Sequence, residues 1–480
     1  MGHTQDIVQK LWNLCHVLRD DGVTYQDYVT ELTLILFLKM AEEVEIEDRL
    51  PEGYRWQDLK VLEGTEQLDF YRKMLIDLGN ADSPLVRGVY AGTGTRLREP
   101  RHLAKLVEEI DRLNWYDARE EGLGDLYEGL LQKNAGEKKS GAGQYFTPRP
   151  LIDAIVACLK PQPGEVVQDP AAGTGGFLIA ADRYAKSISD DYFALGEAEQ
   201  QFQIKHAFVG VELVPDTRRL ALMNCMLHDL EGPDGTEGCI RLGDTLGSFG
   251  AGFEKADIIL ANPPFGTKKG GGGPTRDDFT FVTSNKQLAF LQHIYRGLKP
   301  GGRAGVVLPD NVLFEEGVGR DIRKDFLNKC DVHTILRLPT GIFYAGGVKT
   351  NVLFFTRGES DTGNTKAVWV YDLRTNMPSF GKRTPFERAT LEPFEKAYGE
   401  DPLGKSERAD EGEIGRFRRF TLEDIEKRNW NLDIAWLPDE DAESAEELGE
   451  PEDIAAEIQV ELRTALEELE ELSALLDPEL

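Results

Sequence analysis

The sequence predicts an α/β protein. Its central domain is built on a mainly parallel sheet, preceded by a helical region and followed by an acidic helix. Three observations carry this. From Gln144 onward, apolar strand-like runs alternate with helical periodicity. Before that point the periodicity is helical alone. Beyond Leu437, one apolar stripe runs through a strongly acidic segment.

Residues 1–140 form the predicted helical domain. Leu11, Leu14, Val17 and Leu18 mark one helix face, Leu32, Ile35 and Leu36 continue the pattern, and residues 103–113 make another helix. Gly92, Gly94 and Pro100 interrupt it. The glycine-rich stretch 91–95 has no strand before it and reads as a loop, not a phosphate-binding turn.

Residues 141–375 form the predicted sheet domain. A helix at 151–159 leads to a strand ending in Val166, Val167, Gln168 and Asp169, then a glycine turn and a helix. A strand at 208–213 precedes a helix opened by Pro215, and short strands end at Asp244 and Asn262. A helix at 287–298, a strand at 304–308 and a helix near Ile322 follow, with strands at 334–338, 351–356 and 368–371. Residues 376–436 contain Pro and Arg and read as an irregular extension. In the last segment, 437–480, Ile454, Ile458, Leu462, Leu466, Leu469, Leu472 and Leu476 recur every three or four residues. This segment holds 17 acids and one base, Arg463, so it supplies more than half of the net charge of −30.

Composition bounds the function. With 480 residues, 40% hydrophobic and 29% charged, the chain is neither collagenous nor wholly disordered. The longest apolar run, Leu32–Leu38, is seven residues with Thr33 inside it, too short to cross a membrane. The N-terminus is polar and lacks a signal-peptide pattern. Cys15, Cys158, Cys225, Cys239 and Cys330 are scattered and odd in number, as expected of reduced thiols in a cytoplasmic protein and not of a zinc site. Overall acidity argues against a general nucleic-acid coat.

The first chemical feature is Asp169-Pro170-Ala171-Ala172-Gly173-Thr174-Gly175-Gly176-Phe177, between a strand and a helix. Its glycines permit a tight turn and close approach of a ligand, although the spacing is not that of a dinucleotide fingerprint. Glu212 ends the next strand, where a carboxylate can accept hydrogen bonds from ribose hydroxyls, and Asp244 ends the third. The second feature is Asn262-Pro263-Pro264-Phe265 after an apolar strand. Two prolines stiffen the backbone and remove two donors, leaving carbonyls as acceptors. An Asn carbonyl beside such an acceptor can take both hydrogens of one planar amino group, and the aromatic can stack on its ring.

Together with Gly143-Gln144-Tyr145-Phe146-Thr147-Pro148-Arg149-Pro150, these segments resemble S-adenosylmethionine-dependent amino-methyltransferases, in the gamma order of the DNA adenine-N6 enzymes. Five further stretches extend the match: 218–228, 283–288, 308–314, 337–351 and 371–385. They resemble the modification (methyltransferase, M) subunit of type I restriction–modification systems over nearly the whole chain. The resemblance implies a Rossmann-like S-adenosylmethionine-dependent methyltransferase domain that methylates N6 of a flipped adenine. It implies that Gln144, Tyr145, Phe146, Thr147, Pro148 and Arg149 pack on S-adenosyl-L-methionine. Asp169, Gly173, Thr174, Gly175 and Gly176 would hold its methionine part, with Phe177 alongside. Glu212 would bind its ribose and Asp244 its adenine. Asn262 and Pro263 would accept the amino hydrogens of the target base, with Pro264 stiffening the loop and Phe265 stacking on the base. The implied partners are double-stranded DNA, a specificity subunit flanked by two copies of this chain, and a separate restriction/translocase subunit. The acidic C-terminal helix would contact the specificity subunit.

Protein glutamine-N5 methylation, RNA guanine-N2 methylation and a catalytically idle assembly role are the alternatives. The order of the segments and their intactness disfavour them. The stretch Gly399–Ser406 matches a P-loop pattern but lacks the strand and helix that nucleotide binding needs. The Gly270–Gly273 run with Lys268, Lys269 and Arg276 reads either as a surface loop or as a lid contacting DNA. Arg416–Arg419 is a further basic segment available to DNA.

Overall fold

The computed structural model describes residues 2–14, 25–115, 124, 126–131, 146–265, 274–343, 348–381 and 384–438. Its framework is a nine-stranded sheet ordered β3-β2-β1-β4-β5-β7-β6-β8-β9. The strands are β1 (Val167–Asp169), β2 (Phe208–Glu212), β3 (Ile240–Leu242), β4 (Ala256–Ala261), β5 (Leu298–Pro309), β6 (Cys330–Arg337), β7 (Thr350–Arg357), β8 (Ala367–Asp372) and β9 (Phe417–Thr421).

From β3 across to β5 all pairings are parallel. The rest of the sheet is mixed. β7 runs antiparallel to both β5 and β6, β8 is parallel to β6, and β9 is antiparallel to β8. The mainly parallel expectation therefore holds for the half that contains β1 and fails in the other. β7 follows β6 through the short connection 338–349, which favours an antiparallel return over a helical crossover.

Alternation along the strands divides most of the interior into two main cores. On β4 and β7, Ile258, Leu260, Val352 and Phe354 face one side; Ile259, Ala261, Leu353 and Phe355 face the other. The first side is covered by the helices Arg149–Leu159, Gly176–Ser187 and Pro215–Met226, the second by Lys286–Gly297 and Val318–Lys329.

The region before the sheet is helical as expected. Its central helix, Tyr25–Glu43, buries Leu32, Ile35 and Leu36 completely. The region joins the sheet domain through Arg219, whose Nε donates to the Val89 carbonyl (2.5 Å) and whose Nη2 donates to the Ala91 carbonyl (3.2 Å). The 91–95 stretch is a loop folded around Glu31, which accepts from the Arg96 amide at 3.2 Å and from the Thr95 hydroxyl.

Residues 376–436 are not an irregular appendage. They supply β9, which closes the sheet edge, and the helices Glu392–Tyr398 and Leu422–Lys427. Their alternation is obscured by Arg416, Arg418 and Arg419. Arg416 donates to the Asp372 (2.8 Å) and Thr375 (2.9 Å) carbonyls and Arg418 lies over Phe420, so these two are held in the sheet edge, while Arg419 is exposed. The Gly399–Ser406 stretch is a closed turn in which Asp401 N donates to Ser406 Oγ (2.8 Å) and no helix follows directly.

Among the described residues no helix is long and apolar enough to cross a membrane. Cys158, Cys225, Cys239 and Cys330 are buried and free, and no group of described residues could hold a metal ion. Cys15, the Gly270–Gly273 run with Lys268 and Lys269, and the acidic tail from residue 439 lie outside the described residues.

Candidate functional site

The chain passes from β1 outward to β2 and β3, then returns to place β4 on the other flank of β1. This reversal makes a topological switch point at the carboxyl ends of β1 and β4, where open α/β sheets bind ligands. Asp169 ends β1, Glu212 ends β2 and Asn262 follows β4, so three predicted residues meet at that edge. Asp244 does not end β3 but lies two residues beyond it, exposed, with its Oδ1 accepting from Leu246 N at 2.9 Å.

The glycine turn is held from several sides. Asp169 Oδ1 accepts from the Ala171 amide (3.0 Å), and Glu212 accepts from the Gly173 amide (3.0 Å) and the Val214 amide (2.8 Å). Gly173 and Gly175 adopt φ of +54° and +84°, which residues with a β-carbon disfavour. A Cβ on Gly173 would meet nothing within 4 Å, so this face of the turn is open; one on Gly175 would press on Cys225 Sγ at 3.1 Å. Gly176 opens the following helix.

Two residues without an assigned role in the sequence brace the same turn. Thr245 Oγ1 donates to the Pro170 carbonyl (2.7 Å) and Asn224 Nδ2 donates to the Thr174 carbonyl (3.0 Å). Their partners lie 75 and 50 residues away, a separation no local pattern encodes.

Both carboxyls are electrostatically poised. Burial pushes Asp169 up to about 8, the Ala171 amide opposes this, and the Glu212 charge adds to it. Burial also raises Glu212, against the amides of Val214, Gly173 and Leu213. Two carboxyls whose ionisation burial opposes, at an edge with an open glycine face, suit a ligand that brings positive charge and hydroxyl donors.

Asn262 is 6% exposed. Its Nδ2 donates to Thr147 Oγ1 (2.9 Å), while Oδ1 is buried and accepts no hydrogen bond among the described residues. Gln287 Nε2 donates to the Pro264 carbonyl at 3.0 Å; among the described residues the Pro263 carbonyl receives no hydrogen bond. Gln287 is itself fixed near the start of its helix, where the Asn285 side chain accepts from the Gln287 and Leu288 amides. Phe265 packs edge-on against Phe343, with ring centroids 5.8 Å apart and planes at 84°.

Phe343 comes from the loop after β6. That loop is tied to its neighbours by Arg374, which donates to the two Asp310 oxygens (2.8 and 2.9 Å) and to the Leu338 carbonyl (3.0 Å). Asn351 Nδ2 also donates to Asp310 (2.7 Å). The stretches 308–314, 337–351 and 371–385 thus converge on one polar cluster near the carboxyl edge.

Several expected contacts are relocated. Phe177 is 3% exposed and packs in the core, because the first turn of its helix points inward beneath the glycine turn. Arg149 pairs with Glu128 and, at 3.3 Å, with Asp153, so its charge is committed to packing its helix. Arg276 is not a free basic group: its side chain is 5% exposed, pairs with Asp278 and donates to the Thr245 carbonyl (3.1 Å). Phe146 packs on the main core, Pro148 caps the Arg149–Leu159 helix, and Gln144 and Tyr145 lie outside the described residues.

A family model for N-6 DNA methylase matches residues 118–446, and one for the HsdM N-terminal domain matches residues 7–110. The type I restriction enzyme EcoKI methylase subunit of Escherichia coli (strain K12) is 56% identical, over 98% of this chain and 95% of the relative. The crystal structure of the EcoKI M protein superposes with a TM-score of 0.61 at 52% identity, over 98% of this chain and 96% of that one. A chain solved for complex assembly and conformational transition of the type I R-M system superposes with a TM-score of 0.72 at 27% identity, over 100% of both chains.

Proposed function

The chain belongs to the N-6 DNA methylase family as a type I restriction enzyme methylase subunit, and from that premise we propose that it transfers the methyl group of S-adenosyl-L-methionine to N6 of an adenine flipped out of duplex DNA. In this reading it protects host DNA at sites chosen by a separate specificity subunit. The observation that carries the reading is the Asn262 loop. It leaves one buried side-chain oxygen and the adjacent Pro263 carbonyl without donors among the described residues, at the carboxyl end of β4.

The residues present fit the cofactor. Its sulfonium and ammonium charges match the buried Asp169 carboxyl and the half-buried Glu212 carboxyl, and the open face at Gly173 admits its methionine part. Glu212 would accept the ribose hydroxyls, and exposed Asp244 would reach the adenine. Gly173, Thr174, Gly175 and Gly176 would shape the turn around it, with Phe146 and Pro148 beside that turn. When bound, the cofactor supplies an electrophilic methyl group.

The remaining work falls to the chain. The amine of adenine is a weak nucleophile because its lone pair is shared with the ring. Asn262 Oδ1 and the Pro263 carbonyl would accept its two hydrogens and favour a pyramidal nitrogen. Phe265, backed by Phe343, would form an aromatic wall for the base. The gain comes from positioning and preorganised acceptors, with no strong base required. Incubating the reconstituted complex with methyl-labelled cofactor and DNA, RNA or protein tests this. Label is expected in DNA as N6-methyladenine. Label in protein glutamine or RNA guanine, or none from a fully assembled complex, would replace the reading with one of its alternatives.

The same reading places two copies of this chain around one specificity subunit, with the restriction/translocase subunit joining the full complex in the cytoplasm. The four buried free thiols suit that compartment. The acidic amphipathic helix expected over residues 437–480 is the proposed contact with the specificity subunit, and residues 1–140 a separate helical domain. Deleting residues 440–480 should abolish co-elution with the specificity subunit in size-exclusion chromatography while leaving cofactor binding intact. An unchanged complex would remove the tail from the interface.

A further inference from the structure

We propose that Thr147 is a positioning residue for Asn262, setting which face of its amide meets the target base; this rests on the adenine methylation proposed above. Thr147 and Asn262 are 115 residues apart in sequence, yet both are nearly buried, at 7% and 6% exposure, and joined at 2.9 Å. An Asn side chain presents an oxygen on one side and two N–H donors on the other. Only the oxygen can receive the hydrogens of an exocyclic amine. A flipped amide would aim its own donors at that amine and repel it. Thr147 Oγ1 accepts from Nδ2, so Oδ1 is turned away from it, buried and unpaired among the described residues.

The anchor is rigid. Pro148 fixes the backbone after Thr147, and its carbonyl receives the Leu151 (3.0 Å) and Ile152 (3.1 Å) amides at the start of the Arg149–Leu159 helix. Gln287 occupies the Pro264 carbonyl in the same loop as Asn262. The two contacts hold that loop so that Asn262 Oδ1 and the Pro263 carbonyl are left to accept from the base. Thr147 thus acts on the base through Asn262, although its place in the sequence, just ahead of the glycine turn, points to the cofactor.

The test uses the complex assembled with the specificity subunit, and genomic DNA from a host lacking this gene as substrate. Cofactor affinity is read by calorimetric titration with S-adenosylhomocysteine, and chemistry by single-turnover methyl transfer at saturating cofactor. Thr147→Val keeps the shape and removes the acceptor. It should lower the single-turnover rate about 10- to 100-fold. Its cofactor Kd should stay within about twofold of wild type. Thr147→Ser restores the hydroxyl and should recover the rate to within about threefold of wild type. If valine at this position prevents assembly, Thr147→Ala carries the same comparison against serine. A wild-type rate in Thr147→Val, or a rate loss matched by an equal loss of cofactor affinity, overturns the assignment. Absence of adenine methylation by the wild-type complex would instead overturn the function on which it rests.

Discussion

Replacing Asn262 with Ala should lower single-turnover methyl transfer by the assembled enzyme about 10²- to 10³-fold, the scale on which loss of one preorganised polar group acts at a reacting centre. Cofactor affinity should remain near wild type, because Asn262 follows β4 while the carboxyls and glycine turn lie on β1 and β2. The fold should tolerate the change. The Asn262 oxygen has no partner to lose among the described residues, and the hydrogen bond to Thr147 is of an ordinary kind worth about 0.5–1.5 kcal/mol. Parallel measurement of methyl transfer and of S-adenosylhomocysteine titration checks this. Equal losses in both would mean that Asn262 serves the cofactor and not the base.

The second large effect is expected at Glu212. Glu212→Gln keeps the shape and removes the charge that would accept the ribose hydroxyls. Losing hydrogen bonds to a charged group costs about 1.5–3 kcal/mol, so cofactor Kd should rise about 10- to 100-fold. Methyl transfer at saturating cofactor should change much less. A characteristic pH dependence accompanies it. Asp169, pushed up to about 8 by burial and by the Glu212 charge, is largely protonated at neutral pH in the free protein. A cationic ligand favours its ionised form, so affinity should strengthen from about pH 6 to about pH 8.

The sign for stability is the reverse. A carboxyl whose folded-state pKa is raised contributes stability that is complete below its unfolded pKa and is lost as pH rises through the folded value. The free protein should therefore lose stability as pH climbs to about 8, and cofactor should restore more of it there than in mild acid. In Glu212→Gln the Asp169 carboxyl loses a repelling charge, so the rise in affinity should shift to lower pH. Calorimetric titration and thermal melts across this range read both effects. A pH-independent Kd in the wild type would exclude Asp169 from the cofactor site.

The residues proposed to carry chemistry are legible because they sit in short, stiff segments whose composition has a local cause. Gly173 and Gly175 have the positive φ that their turn demands. The Asn262-Pro263-Pro264-Phe265 run follows a strand, and Glu212 ends one. Less legible is how charged residues are used. Arg149, Arg276 and Arg416 look available to cofactor or DNA, yet each is committed to a carboxylate or carbonyl inside the fold. An arginine in sequence carries no sign of the partner that neutralises it. The strand β9 is hidden for a related reason: its alternation is filled by arginines that lie along a sheet edge, where one face meets solvent.

The sequence by itself determined the α/β plan, the order of β1 to β8 along the chain, the glycine turn and the stiff Asn262–Phe265 loop. These depend on periodicity and on backbone preferences that act within a few residues. Only the tertiary structure decided that β7 lies between β5 and β6, that Phe343 backs Phe265, and that the Thr147 hydroxyl meets Asn262 from 115 residues away. Such contacts arise from how the two faces of the sheet close over their cores, and no spacing along the chain records which distant side chains that closure brings together.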